Sequence, residues 1–95
     1  MRITVHTILG LRRALGQKQT EIDLPEGATL DDLFSYMKEK WGEPLAAQLF
    51  DPETGKVLPQ LQILVNGQAI HSLAGIKTLL KEGDEVRLLP LISGG

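Results

Sequence analysis

Between Thr29 and Gly42 the apolar residues Leu30, Leu33, Phe34, Met37 and Trp41 recur at steps of three, one, three and four. That spacing draws a single apolar stripe along one amphipathic helix. Thr29 is a good N-cap, and Asp31 and Asp32 sit in the first turn, where the helix dipole favours negative charge. Gly42 ends the run. A helix with one apolar face must bury it against another layer, and the rest of the chain offers short strands for that layer.

Arg2 to Leu9 alternates with period two: Ile3, Val5, Thr7 and Leu9 share one face, and Arg2, Thr4, His6 and Ile8 share the other. Gly10 to Gly16 reads as a loop carrying Arg12 and Arg13. Gln19 to Leu24 is a second strand with Ile22 and Leu24 inward, stopped by Pro25-Glu26-Gly27. After the helix, Pro44 is placed to open a short turn carrying Leu45 and Leu49, and Asp51-Pro52-Glu53-Thr54-Gly55 is a turn. Glu43 to Gln60 therefore reads mostly as connection. Leu61 to Val65 is the most strand-like run, and Asn66-Gly67 beside it is a strong hairpin signal. Gln68 to Ile70 is the return strand, and Leu73 to Leu80 is a helical turn or an irregular crossing. Lys81-Glu82-Gly83-Asp84 is a turn, and Glu85 to Leu89 is the last strand, closed by Pro90, which has no N–H to donate. The order strand, strand, helix, strand, short strand, strand predicts a two-layer α+β fold, a mixed sheet with one main helix on one face. With the first and last strands central and parallel, this is the ubiquitin-like β-grasp.

Composition narrows the function. Net charge is −2 with no run of Lys or Arg, so no electrostatic footprint for nucleic acid or an anionic membrane is expected. The absence of Cys removes disulfides, thiolate metal sites and a cysteine nucleophile, and suits the reducing cytosol. No segment has signal-peptide character or the length of a membrane span, so the reading is cytoplasmic. His6 and His71 are the only histidines and have no Cys or third His to complete a metal set, so no metal site is expected. Asp31 and Asp32 are adjacent and point about 100° apart on a helix, which favours a helix-start role over an acid–base pair. Gly10 to Gly16 lacks the spacing of a phosphate loop, and Ser35, Ser72 and Ser93 have no nucleophile-elbow context. No catalytic residue is assigned.

The C-terminus carries the chemistry instead. Leu88-Leu89-Pro90-Leu91-Ile92-Ser93-Gly94-Gly95 is a strand, a Pro stop, a short apolar tail and a terminal Gly-Gly. At average glycine usage two terminal glycines arise by chance in roughly one chain in two hundred. A carboxylate presented to another enzyme has to pass through a narrow channel in extended form, and residues without Cβ fit such a channel. Pro90 stiffens the base of the tail. A free carboxylate is a poor acyl donor and must first be activated, as an acyl adenylate made from ATP by a partner enzyme.

The segments Ile63-Leu64-Val65-Asn66-Gly67 and Glu82-Gly83-Asp84-Glu85-Val86, with the ending Leu89 to Gly95, resemble the MoaD/ThiS family of sulfur carriers. The element order extends the likeness over nearly the whole chain. The resemblance implies a single β-grasp sulfur-carrier domain over 1–95, with 90–95 as a flexible tail. It implies adenylation of Gly95 by a ubiquitin-activating-type adenylyltransferase, conversion to a thiocarboxylate, and donation of the sulfur. Gly95 is then the modified residue, and Pro90, Leu91, Ile92, Ser93 and Gly94 are what the activating enzyme grips. The protein binds no cofactor itself; ATP is used by its partner. The long Glu43–Gln60 connection favours the molybdopterin branch, whose acceptor is the molybdopterin synthase large subunit, although carriers feeding cysteine synthesis share that connection. Leu88-Leu89-Pro90-Leu91 departs from the more usual Phe-Pro-Pro.

Strand alternation adds a surface. If Ile3 and Val5, Val86 and Leu88, and Leu61, Ile63 and Val65 point inward, then Ile8, Leu64 and Leu89 point outward. On neighbouring strands they form an apolar patch near the root of the tail, a candidate partner surface. Three functions stay open: a sulfur carrier in molybdopterin, cysteine or thiamine synthesis; a modifier joined through Gly95 to lysines; and an interaction module with an accidental Gly-Gly.

Overall fold

The computed structural model describes residues 1–7, 16 and 19–90. Its strands are β1 (Arg2–Thr7), β2 (Gln19–Asp23), β3 (Leu61–Val65), β4 (Gln68–Ala69) and β5 (Glu85–Pro90), and its helices are α1 (Leu30–Trp41) and α2 (Glu43–Leu49). Two single 3₁₀ turns, Ile70–Ser72 and Gly75–Lys77, lie between β4 and β5. The strands form one sheet in the order β2-β1-β5-β3-β4. β1 and β5 are parallel neighbours at its centre, and the other pairings are antiparallel. This is the ubiquitin-like β-grasp expected from the element order.

The helical stripe is why α1 lies where it does. Leu30, Leu33, Phe34 and Met37 are buried, Trp41 is partly so, and Asp31, Asp32, Ser35, Lys38 and Glu39 are exposed. Thr29 and Asp32 form a reciprocal capping box: the Asp32 amide donates to Thr29 Oγ1, and the Thr29 amide donates to Asp32 Oδ2 at 2.9 Å. Ile3 and Val5 of β1, Ile22 of β2, Leu61, Ile63 and Val65 of β3, and Val86 and Leu88 of β5 meet the stripe from the sheet. Each of the larger side chains contributes roughly 1.5–3 kcal/mol by leaving water.

The connection after α1 is more ordered than its sequence indicates. The turn at Pro44 extends into α2, whose Leu45 and Leu49 are both fully buried. Phe50 then meets Phe34 edge to face, with ring centroids 5.7 Å apart. The return strand is shorter than expected: β4 stops at Ala69, and Ile70 opens the first 3₁₀ turn.

Asn66 (φ 51°) and Gly67 (φ 84°) both take the left-handed conformation that a two-residue hairpin of this hand requires. Asn66 also ties the hairpin to the turn before β5. Its Nδ2 donates to Asp84 Oδ1 at 2.9 Å, and its Oδ1 accepts from the Glu85 amide at 2.9 Å. Asp84 Oδ2 accepts from the Lys81 amide at 2.8 Å, and the Thr4 amide donates to the Asp84 carbonyl. The two internal motifs of the sequence, Ile63–Gly67 and Glu82–Val86, thus form one structural cluster at the start of β5, at the opposite end of that strand from the tail. Asp84 is buried. Asp84→Ala leaves the Lys81 amide and half of the Asn66 amide unpaired, and bonds to a carboxylate contribute about 1.5–3 kcal/mol each. At about 4–8 °C per kcal/mol, calorimetry should show a melting temperature at least about 10 °C lower. Asp84→Asn, which keeps an acceptor, should recover part of the loss; an unchanged melt for Asp84→Ala would show that the cluster does not hold this end of the sheet.

Candidate functional site: the sheet face at the root of the tail

β5 delivers the C-terminus from the middle of the sheet. It lies between β1 and β3, with Thr7 opposite Leu88 and Leu61 opposite Pro90. Pro90 is the last residue of the ladder, at the end of the sheet where β1 also ends. Leu91, Ile92, Ser93, Gly94 and Gly95 lie outside the described residues, as does Ile8.

Strand alternation divides β5 cleanly. Val86 and Leu88 are completely buried, while Glu85 and Arg87 are exposed and Leu89 is half-buried on the face away from α1. On β3, Leu61, Ile63 and Val65 are buried, and Gln62 and Leu64 are half-buried on that same outer face. The register pairs Gln62 with Leu89 and Leu64 with Arg87. Leu64 and Leu89 are therefore diagonal neighbours, with Ala69 of β4 beside Leu64. Two of the three expected apolar residues share one surface next to the last described residue of the chain. Gln62 and Ala69 complete it. Gln62 follows from alternation once the β3–β5 register is known, and Ala69 from the β3–β4 register; the sequence alone supplies neither.

The rest of the outer face is charged and internally paired. His6 Nε2 lies 2.8 Å from Glu85 Oε1, and Arg87 approaches the same carboxylate oxygen at 3.8 Å. Arg2 reaches Glu21 and Asp23 of β2, each at 3.5 Å. The face thus has an apolar portion on β3, β4 and the end of β5, and a charged portion on β1, β2 and the start of β5. His6 is hydrogen-bonded to Glu85, and no group of three or more His, Cys, Asp or Glu among the described residues is placed to hold a metal. An open groove of about 500 Å³ between α1 and α2 is lined by Ser35, Lys38, Glu39, Gly42, Glu43 and Ala46, on the helical side of the molecule. It brings no histidine to its one hydroxyl. No helix among the described residues is long and apolar enough to cross a membrane.

Leu89→Asp tests the apolar portion. The charge lands on a half-buried position that the core does not use, so the melting temperature should hold within about 4 °C. If the activating enzyme expected from the sequence docks on this face, its affinity, measured by titration calorimetry, should fall by about tenfold or more, a loss of roughly 1.4 kcal/mol. Unfolding would place Leu89 in the core, and unchanged binding would remove it from the interface.

Residues 7–95 match the model of the ThiS family. Small archaeal modifier protein 3 of Haloferax volcanii is 30% identical over 95 residues, the whole of both chains. A protein of Archaeoglobus fulgidus, provisionally named a sulfur carrier protein, is 31% identical over 85 residues, 90% of this chain and 93% of that one. The solution structure of small archaeal modifier protein 1 of Methanosarcina acetivorans superposes with a TM-score of 0.85 at 28% identity, covering 99% of this chain and 96% of the other. The match spans the described sheet, both motif segments and the Gly-Gly ending: the chain belongs to the ThiS family of ubiquitin-like sulfur carriers and modifiers.

Proposed function

We propose that this protein is a sulfur carrier whose working group is the Gly95 carboxylate. The observation that carries the reading is the position of β5: a central strand, fixed on both sides, that ends at Pro90 next to Leu89 and is followed by a short chain ending in Gly94-Gly95. A ubiquitin-activating-type adenylyltransferase docks on the apolar portion of the outer face and draws the tail into its site. The Gly95 carboxylate attacks the α-phosphorus of ATP, giving the acyl adenylate and pyrophosphate. A sulfide equivalent then displaces AMP and leaves a thiocarboxylate. The role of this chain is non-catalytic: it presents and carries the group.

The acceptor we favour is the molybdopterin synthase large subunit, on the strength of the long segment between α1 and β3, which here includes α2 with Leu45 and Leu49 in the core. Transfer is tested by mixing the thiocarboxylated protein with that subunit and its substrate in a single turnover and following molybdopterin formation. Sulfur loss from Gly95 with product formation supports this branch. Retention of the sulfur there, with discharge to an acceptor of cysteine or thiamine synthesis, reassigns the branch and leaves the carrier reading intact. A second reading, conjugation of Gly95 to lysines of target proteins, is favoured by the full-length similarity to a modifier protein. Isopeptide-linked Gly95 recovered from cells by peptide mass spectrometry is its signature.

A further inference from the structure

The large apolar side chains most open to solvent among the described residues are not on the sheet face beside the tail. They are Leu73 (38% exposed), Ile76 (38%) and Leu79 (62%), all in the crossing between β4 and β5. Leu73 caps the first 3₁₀ turn, Ile76 lies within the second, and Leu79 follows it in a bridge to Thr29, so all three fall within one seven-residue stretch. The segment is tightly bonded. Thr78 is buried; its hydroxyl donates to the Gly75 carbonyl at 2.7 Å and accepts from the Ala74 amide at 3.1 Å. The Leu30 amide donates to the Thr78 carbonyl and the Leu80 amide to the Ala28 carbonyl, which fastens the segment alongside the start of α1. A fixed backbone that holds three large apolar groups in water loses hydrophobic free energy without recovering it inside this chain, which marks a surface that another molecule covers.

Charge identifies that molecule. From Gln68 to Lys81 the sequence contains no Asp or Glu, in a chain whose net charge is −2, and it carries His71, Lys77 and Lys81. Lys77 and Lys81 are exposed, and neither forms a salt bridge among the described residues. Three nearby carboxylates already have partners: Asp32 in the capping box, Glu82 with the Arg2 amide at 3.1 Å, and Asp84 with Asn66 and the Lys81 amide. A second copy docking the same patch against itself would set lysines against lysines. We propose that Leu73, Ile76 and Leu79, flanked by Lys77 and Lys81, form a second docking surface for a partner protein segment whose apolar side chains are bordered by carboxylates. Lys81 precedes β5 and the tail follows it, so a strand of roughly 17 Å separates that end of the patch from the tail. A partner held here leaves Leu64, Leu89 and Gly95 free to engage a second protein at the same time.

The test uses full-length, isotope-labelled protein and two synthetic helical peptides that share one leucine stripe. One is flanked by glutamates, the other by lysines. The glutamate peptide should shift the amide resonances of residues 73–81 saturably and bind about tenfold or more tighter than the lysine peptide. The double variant Ile76→Ser/Leu79→Ser should weaken that binding by about tenfold and keep its melting temperature, because both side chains are exposed. Lys77→Glu/Lys81→Glu should reverse the preference between the peptides. Equal binding of the two peptides, shifts confined to the Leu64–Leu89 face, or no shift at millimolar peptide would each overturn the proposal.

Discussion

Removal of Gly95 is expected to abolish activation while the domain melts as before. The shortened chain still ends in a glycine carboxylate, so the chemistry of the end group is unchanged. Its position is not. Losing one extended residue retracts the carboxylate by roughly 3.3–3.6 Å, and attack on phosphorus requires the reacting atoms to lie about 3–3.5 Å apart. β5 is held in register with β1 to Leu88 and with β3 to Pro90, so the strand does not slide forward to restore that distance. Among the described residues the last one in the core is Leu88, and the melting temperature should stay within about 4 °C of the parent. Pyrophosphate release in the presence of the activating enzyme and ATP reads the loss. Turnover near the parent rate would mean that Gly95 is not the group activated.

Gly94→Val should be nearly as severe for a different reason. It keeps the length of the tail and the identity of the terminal residue. It adds two methyl groups on a β-branched carbon, which restricts the backbone and widens the chain one residue before the reacting carboxylate. If a narrow channel has to pass Gly94, misplacement there by about 1 Å costs on the order of a hundredfold in rate. Gly94→Ala should fall between valine and the parent, since it adds a Cβ without the branch. Normal adenylation of the valine variant would remove the steric account of the Gly-Gly ending. A loss confined to later sulfur transfer would move the constriction to the acceptor.

The roles given to Gly94 and Gly95 are read from the sequence alone, since both lie outside the described residues. The fold was legible where a period was long or a turn strict. The α1 stripe spans several turns, and Asn66-Gly67 admits few backbone conformations, so each specified its own geometry. α2 was harder to read: seven residues with Pro near the start give too little periodicity to separate a helix from a turn, and burial of Leu45 and Leu49 against α1 decides the matter. The Asn66–Asp84 cluster joins two motifs well apart in the chain, and no local pattern announces that their side chains meet. The diagonal pair Leu64 and Leu89 lay between these cases. Alternation assigned each to the outer face, and the β3–β5 register then set them beside each other. The exposed Leu73, Ile76 and Leu79 were the least accessible to sequence reasoning, because an irregular crossing has no period from which to read a face.

The central claim is that Gly95 carries sulfur, and intact-protein mass spectrometry tests it most directly. The protein is incubated with its activating enzyme, ATP and a sulfur source, and its mass is compared with that of a control lacking ATP. The account predicts exchange of one oxygen for one sulfur, mapped by fragmentation to Gly95 and absent when Gly95 is removed. An unchanged mass with a cognate enzyme that hydrolyses ATP to AMP and pyrophosphate on this chain, or a sulfur mapped to any other residue, would contradict it.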